Sequence, residues 1–159
     1  MNKAFTKKGF TLIEILIVVA IIALLAGSAL VVAGPANRLG RDTRRISDLV
    51  NVQSALQFYY TKCGYYPGVA QASNPCSSFQ QISSWGSMSD ALTNSSIGTK
   101  KIPNDPSSNK TYTYGTDSNG ASYVLGATLE DANNSALRDS VRGTVFSVDC
   151  NGNNYCIQF

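Results

Sequence analysis

The 159-residue chain has no histidine, a single tryptophan and few charges, only 14% of its residues. Without histidine the commonest general base is missing, and no nucleophile elbow, phosphate loop or recognisable carboxylate pair stands in for it. An enzyme is not expected. Positive charge is also missing from the part that could fold. Lys3, Lys7 and Lys8 precede the first apolar run, and without those three the formal charge of +3 disappears. A nucleic-acid footprint needs basic surface on the folded part, so no nucleic-acid partner is expected. Cysteine is scarce, four residues with no C-x-x-C pair, and with histidine absent a metal site is not expected.

What the chain does have is hydrocarbon in one place. From Leu12 to Ala33 the sole charged residue is Glu14. About 20 apolar residues cross a bilayer as a helix, so this run is long enough to span. The lysines ahead of it read as a positive-inside signal that holds the N-terminus in the cytoplasm and sends the rest across the membrane. An ordinary secretory signal is shorter, and cleavage near Ala26-Gly27-Ser28-Ala29 would discard the run and leave Glu14 without a purpose. A plain membrane anchor gives Glu14 no purpose either. A carboxylate set in a bilayer costs about 2.5–3.5 kcal/mol, so it calls for a partner.

Lys7-Lys8-Gly9-Phe10-Thr11-Leu12-Ile13-Glu14 resembles the type III signal of type IV prepilins and of type II secretion pseudopilins. The resemblance runs from Lys7 through Ala26. It implies a leader, residues 1–9, removed by a prepilin peptidase between Gly9 and Phe10, with N-methylation of the new terminus at Phe10. It also implies that Glu14 meets the Phe10 ammonium of a neighbouring subunit, so that Phe10 and Glu14 register the polymer. Opposite charges attract strongly where the dielectric is low, and a missing partner leaves a buried charge at its full penalty. Many pilins carry a proline at the mature position that is Val31 here. In this chain it stands one turn later, after Gly34, so a helix kink is expected at Gly34 and Pro35.

Beyond the span, residues 34–62 read as the amphipathic second half of the same helix. Ile46, Leu49, Val52, Gln53, Leu56, Tyr59 and Tyr60 recur at three- and four-residue steps. A continuous helix from Thr11 to Thr61 would measure about 75 Å at 1.5 Å per residue. Arg38, Arg41, Arg44 and Arg45 form a basic cluster beside Asp42 and Asp48, and a solvated collar with helix-face pairing is the expectation. "ALQFYYTKCGYYPG" (55–68) resembles the place where the long helix of pilins and major pseudopilins gives way to the globular part, with Gly64 as C-cap and Pro67 blocking continuation.

Residues 63–159 are expected to form the exported globular domain. A connecting region rich in Ser, Asn, Gly and Pro carries a weak helical patch over 79–92, with Trp85 as a core anchor. Thr111–Tyr114 and Ser122–Leu129 read as strands around a turn at Asp117–Gly120, and Gly143–Asp149 with Tyr155–Phe159 as a last pair. Ile102-Pro103-Asn104-Asp105-Pro106 ahead of the tyrosines resembles major pseudopilins and their bacterial pilin relatives. An even cysteine count in an exported domain suggests disulfides, with three connectivities open for Cys63, Cys76, Cys150 and Cys156. Closeness along the chain favours Cys63–Cys76 and Cys150–Cys156. The Asp117-Ser118-Asn119-Gly120 turn lacks the spacing of an EF-type loop. Asp149 with Asn151, Asn153 and Asn154 is a thin version of the pseudopilin calcium site, which leaves calcium open but disfavoured and no cofactor expected.

The fold class expected is α+β: a long N-terminal helix, transmembrane over its first half (residues 10–33), with a small antiparallel sheet on its C-terminal half, the pilin fold. The resemblance implies a type IV pilus subunit, held in the cytoplasmic membrane and polymerised as a homopolymer into an extracellular filament for adhesion, motility or DNA uptake. Its other partners would be membrane lipid, the prepilin peptidase and an inner-membrane assembly platform. The alternatives are a pseudopilin of a type II secretion system, forming a periplasmic pseudopilus, and a membrane-anchored extracellular binding domain that never polymerises.

Overall fold

A computed structural model describes residues 9–68, 76 and 84–159, leaving aside the side chains of 28–33. The leader to Lys8 and the part of the helical patch before Ser84 lie outside the described residues. The chain is α+β. Helix α1 runs from Leu12 to Cys63 and a second helix, α2, from Trp85 to Asn94. Five strands follow: β1 (Thr113–Thr116), β2 (Tyr123–Thr128), β3 (Thr144–Val145), β4 (Val148–Asp149) and β5 (Asn154–Gln158). Contacts divide the molecule into two units, one ending at Asn37 and one spanning Arg38–Phe159.

In the first unit the helix has no core to serve. Every described side chain from Phe10 to Gly27 is exposed, Leu12 at 82%. The second unit holds the core. There α1 buries Leu49, Val52, Leu56, Tyr59 and Cys63, at alternating steps of three and four that keep one face inward. Tyr60, expected on that face, is exposed and lies against the ring of Tyr66 at 4.8 Å. The helix stops where Gly64 takes a φ of 82°, with its N–H donating to the Tyr60 carbonyl at 2.7 Å.

Three strands make an antiparallel sheet in the order β1-β2-β5. Strand β2 is buried along nearly its whole length, because both its faces are covered. Tyr123, Leu125 and Ala127 join the helix face, Tyr112 and Tyr114 in the main core, while Val124 packs with Val148 and the Cys150–Cys156 cystine on the other side. The expected pairing of 143–149 with 155–159 is not formed. Residues Thr144–Asp149 fold back on themselves as the β3–β4 ribbon, turning at Phe146 and Ser147, whose φ values of 46° and 66° match a two-residue primed turn. Strand β5 instead pairs with β2, Cys156 opposite Gly126. A central strand covered on both faces needs a neighbour on each edge for its amides, and β5 supplies the second.

The ribbon sits close because two glycines let it. A Cβ at Gly115 would run into the Phe146 carbonyl oxygen, and one at Gly126 into the Thr113 hydroxyl, with Cys156 Sγ at 3.3 Å. Gly115→Ala and Gly126→Ala should each destabilise the protein by about 1–3 kcal/mol. Gly86→Ala, in α2 with open space around the site, should be neutral or stabilising by up to about 1 kcal/mol. Denaturant midpoints of the full chain in detergent micelles check all three.

Candidate assembly segment and its arginine anchor

Gly9, Phe10 and Thr11 are not helical, and α1 begins at Leu12. Thr11 sets that start: its hydroxyl accepts the Glu14 N–H at 3.3 Å and its carbonyl accepts the same N–H at 3.2 Å. Glu14 therefore lies in the first turn, where a carboxylate faces the positive end of the helix dipole. Leu12, Ile15, Leu16, Val19, Ala20 and Ala23 share one apolar side of the helix beside it. Gly34 and Pro35 lie inside α1, which stays helical through both, although Pro35 has no amide to bond one turn back. Among the described residues no helix is long and apolar enough to cross a membrane. The described side chains of the apolar run stop at Gly27.

The cysteines pair in sequence order. Cys63, the last residue of α1, is joined to Cys76, and Cys150 is joined to Cys156, with Cα atoms 5.9 and 5.7 Å apart. The other polar groups singled out in the sequence serve turns. Asp117 Oδ1 accepts the N–H groups of Ala121 and Ser122 at 2.7 and 3.2 Å. Asp149 Oδ1 accepts the backbone and side-chain N–H groups of Asn151. Among the described residues no cluster of three or more potential metal-ligating side chains occurs. Trp85 is buried and donates to the Pro103 carbonyl at 3.2 Å.

Arg38 and Arg44 are exposed and the helix-face pairs Arg45–Asp42 and Arg44–Asp48 form, but Arg45 departs from the solvated collar expected. Arg45 is fully buried, and all five of its N–H groups are used. Nε and one terminal nitrogen hold Asp105 bidentately at 2.8 and 2.9 Å, and that nitrogen also donates to Ser107 Oγ at 2.9 Å. The other terminal nitrogen donates to Asp42 at 2.7 Å and to Glu130 at 2.9 Å. Arg41, one turn earlier, clasps Glu130 with two further hydrogen bonds. Asp42 in turn accepts the backbone N–H groups of Glu130 and Asp131. One helical turn of α1 thus holds two loops, 105–107 and 130–131. Beside it Asp48 accepts the Tyr112 hydroxyl at 2.8 Å, while exposed Arg44 reaches Asp48 at only 3.8 Å.

The charges follow from this packing. Hydrogen bonds from Arg41, then Arg45, hold Glu130 down to about 2 against the opposing pull of burial. Burial pushes Asp105 up, but the Arg45 pair and the Ser107 amide outweigh it and leave Asp105 below the usual carboxylate range. The Asp105 bonds raise Arg45 further above its already high value. Burial, then the bond to Asp48, raises the Tyr112 hydroxyl. Asp105 and Glu130 carry no pattern that marks them in the sequence. Arg45 does: it falls four residues before Leu49 on the inward stripe, at a position where a core residue belongs.

Residues 4–30 match the family model of the prokaryotic N-terminal methylation motif. No curated protein and no solved structure matches the chain.

Arg45→Met leaves Asp42 and Asp105 facing no guanidinium and Glu130 only that of Arg41, and should cost about 3–5 kcal/mol. Arg45→Lys, with three donors for five acceptor contacts, should fall between that and wild type. Arg44→Met should stay within about 1 kcal/mol, since Arg44 is itself exposed and 3.8 Å from Asp48, which keeps its Tyr112 bond. Chemical denaturation of the three variants tests this ranking. Acid should reveal Glu130 as well. Its carboxyl is depressed, so the stability it contributes is complete above the ordinary value of 4.5 and vanishes as pH falls through about 2. Melting temperatures measured across that window should drop more steeply for wild type than for Glu130→Gln.

Proposed function

From the premise that the chain belongs, through its N-terminal methylation signal, to the type IV pilin and pseudopilin family, we propose that it is the structural subunit of a type IV pilus. That family is structural, not enzymatic. In this reading residues 1–9 are a leader and 10–33 the membrane-stored polymerisation helix. Residues 34–62 are the stalk, and 63–159 the exported domain.

One observation carries the proposal. Glu14 sits in the first turn of a helix whose described side chains from Leu12 to Gly27 are otherwise uncharged and all exposed. A surface that apolar needs a cover, and a membrane before assembly and sister helices after it both supply one. Cleavage of the Gly9–Phe10 bond by a prepilin peptidase releases the leader and leaves an ammonium on Phe10, which is then N-methylated. That ammonium lies close to the positive end of its own helix, where a second positive charge is unfavourable. A neighbour's Glu14 relieves it. The same contact neutralises Glu14, so joining the filament satisfies two charges that the single subunit leaves costly. Lipid, the peptidase, an inner-membrane platform and further copies of the chain are its partners. The subunit waits in the cytoplasmic membrane and ends outside the cell.

The Ile102–Pro106 run favours a second reading, a pseudopilin of a type II secretion system making a short periplasmic filament. It shares the chemistry at Gly9, Phe10 and Glu14.

Mass spectrometry of the N-terminal peptide should find a chain beginning at N-methylated Phe10; one beginning at Met1 would remove both readings. Electron microscopy of sheared surface material should show long fibres for a pilus and none for a pseudopilus. Glu14→Gln should lower fibre yield at least about tenfold, since losing one partner of a desolvated pair costs several kcal/mol per contact. Normal yield from that variant would break the registration argument.

A further inference from the structure

The chain contains three Asn-x-Ser/Thr triplets: Asn94-Ser95-Ser96, Asn109-Lys110-Thr111 and Asn133-Asn134-Ser135. This is the acceptor pattern for N-linked sugar, which needs an exposed loop on an exported protein. In a chain this rich in Asn and Ser the pattern arises easily, so it decides nothing alone. The structure sets Asn94 apart, and the acid ahead of Asn133 distinguishes that triplet from Asn109.

Asn94 is the last residue of α2, and the residue after it is buried. The Ser95 hydroxyl donates to the Leu92 carbonyl at 2.7 Å, its carbonyl accepts from Lys62 Nζ, and Ser96 takes a φ of 54°. That triplet is fastened to the core edge and cannot be drawn into another protein. Asn109 lies in the turn closed by the Lys110 N–H on the Ser107 carbonyl at 3.1 Å. Its neighbour Lys110 is tied to the Thr128 carbonyl, and Ser107 is bound into the Arg45 network. Asn109 and Thr111 are themselves exposed, but the acid ahead of them, Asp105, is four residues away and held by Arg45.

Around Asn133 the neighbours do the folding and Asn133 is left over. Asp131 Oδ1 accepts the Asn133 N–H at 2.9 Å, and Asn134 Oδ1 accepts the Ala136 N–H at 3.0 Å, opening the 3-10 turn Ser135–Arg138. The Asp131 N–H is held by Asp42, so the loop is pinned to the folded domain. The Asn133 side chain and the Ser135 hydroxyl are exposed and make no hydrogen bond among the described residues.

The geometry points to Asn133 as a glycan acceptor on the exported domain, an inference that rests on the export reading above. A carboxamide nitrogen is a poor nucleophile, because its lone pair is delocalised into the carbonyl. Transfer therefore needs an enzyme and an activated donor, here a sugar carried on a polyisoprenyl phosphate. The Asn133 nitrogen bonds to the anomeric carbon as the carbon–oxygen bond to the phosphate breaks. The phosphate departs with the bonding electron pair, and one amide proton passes to a base of the transferase. Asp131, two residues before, and the Ser135 hydroxyl, two residues after, offer that enzyme a charged and a neutral handle on either side of the acceptor.

Peptide mapping and intact-mass measurement of the full-length protein purified from its own cells test this. Expected is the mass of one oligosaccharide on the peptide containing Asn133, absent from Asn133→Gln and Ser135→Ala and retained in Asn94→Gln and Asn109→Gln. A wild-type chain that begins at Phe10 and carries no sugar overturns this inference and leaves the export reading standing. Sugar that persists in Asn133→Gln also overturns it. A chain still beginning at Met1 and carrying no sugar overturns both.

Discussion

A guanidinium with no water around it must find a partner for every N–H, and Arg45 finds five oxygens. Desolvating such a group is expensive, and the expense is offset only when the geometry is complete. That requirement makes the site demanding. Asp105 and Ser107 must arrive from before the sheet, Glu130 from after β2, and Asp42 from the preceding turn of the helix. Segments 25 residues apart in sequence therefore close on one helical turn. Hydrophobic contacts along Leu49, Val52, Leu56 and Tyr59 give the sheet somewhere to lie. They are non-directional, and it is the arginine that fixes where along the helix it lies.

The helix consequently has two characters. From Arg45 on, its inward stripe is consumed by its own domain. Up to Gly27, every described residue is exposed, and every side chain is apolar save Thr11, Glu14 and the two glycines, Gly9 and Gly27. One part is finished within the subunit, and the other is incomplete without something outside it. Burying the first part helps specify a single folded shape for Arg38–Phe159, whereas leaving the second unburied makes association favourable wherever apolar cover is found.

How much of this the residues announced depends on the kind of interaction. The helix was legible because its signals are local: an apolar run, a three-and-four step pattern, then Gly64 and Pro67. Strand β2 and the turn at Asp117–Gly120 were legible for the same reason, while β1, expected over 111–114, runs two residues later at Thr113–Thr116. Pairing was not. Residues 143–149 and 155–159 both look like strands, and nothing local tells them that β2 is the better neighbour for β5. The arginine anchor was missed because its acids lie 60 and 85 positions away, and because a cluster of like charges usually faces water. Its one visible mark, a charged residue in register with Leu49 and Val52, was outweighed by composition. At the N-terminal segment the roles proposed for Gly9, Phe10 and Glu14 come from one short local run, and the structure adds Thr11 as the group that sets the helix start.

Both cystines are short-range, with sequence separations of 13 and 6 residues. Cys63–Cys76 returns the end of α1 to the segment that follows it, and Cys150–Cys156 links the exit of β4 to β5. No covalent crossbar therefore runs from the helix to the three-stranded sheet. Pulled apart, the subunit would part along that seam of side chains, where tyrosines and the buried arginine slide free, while each cystine loop stayed closed. Resistance to stretching is thus set by packing and ion pairing and not by sulfur.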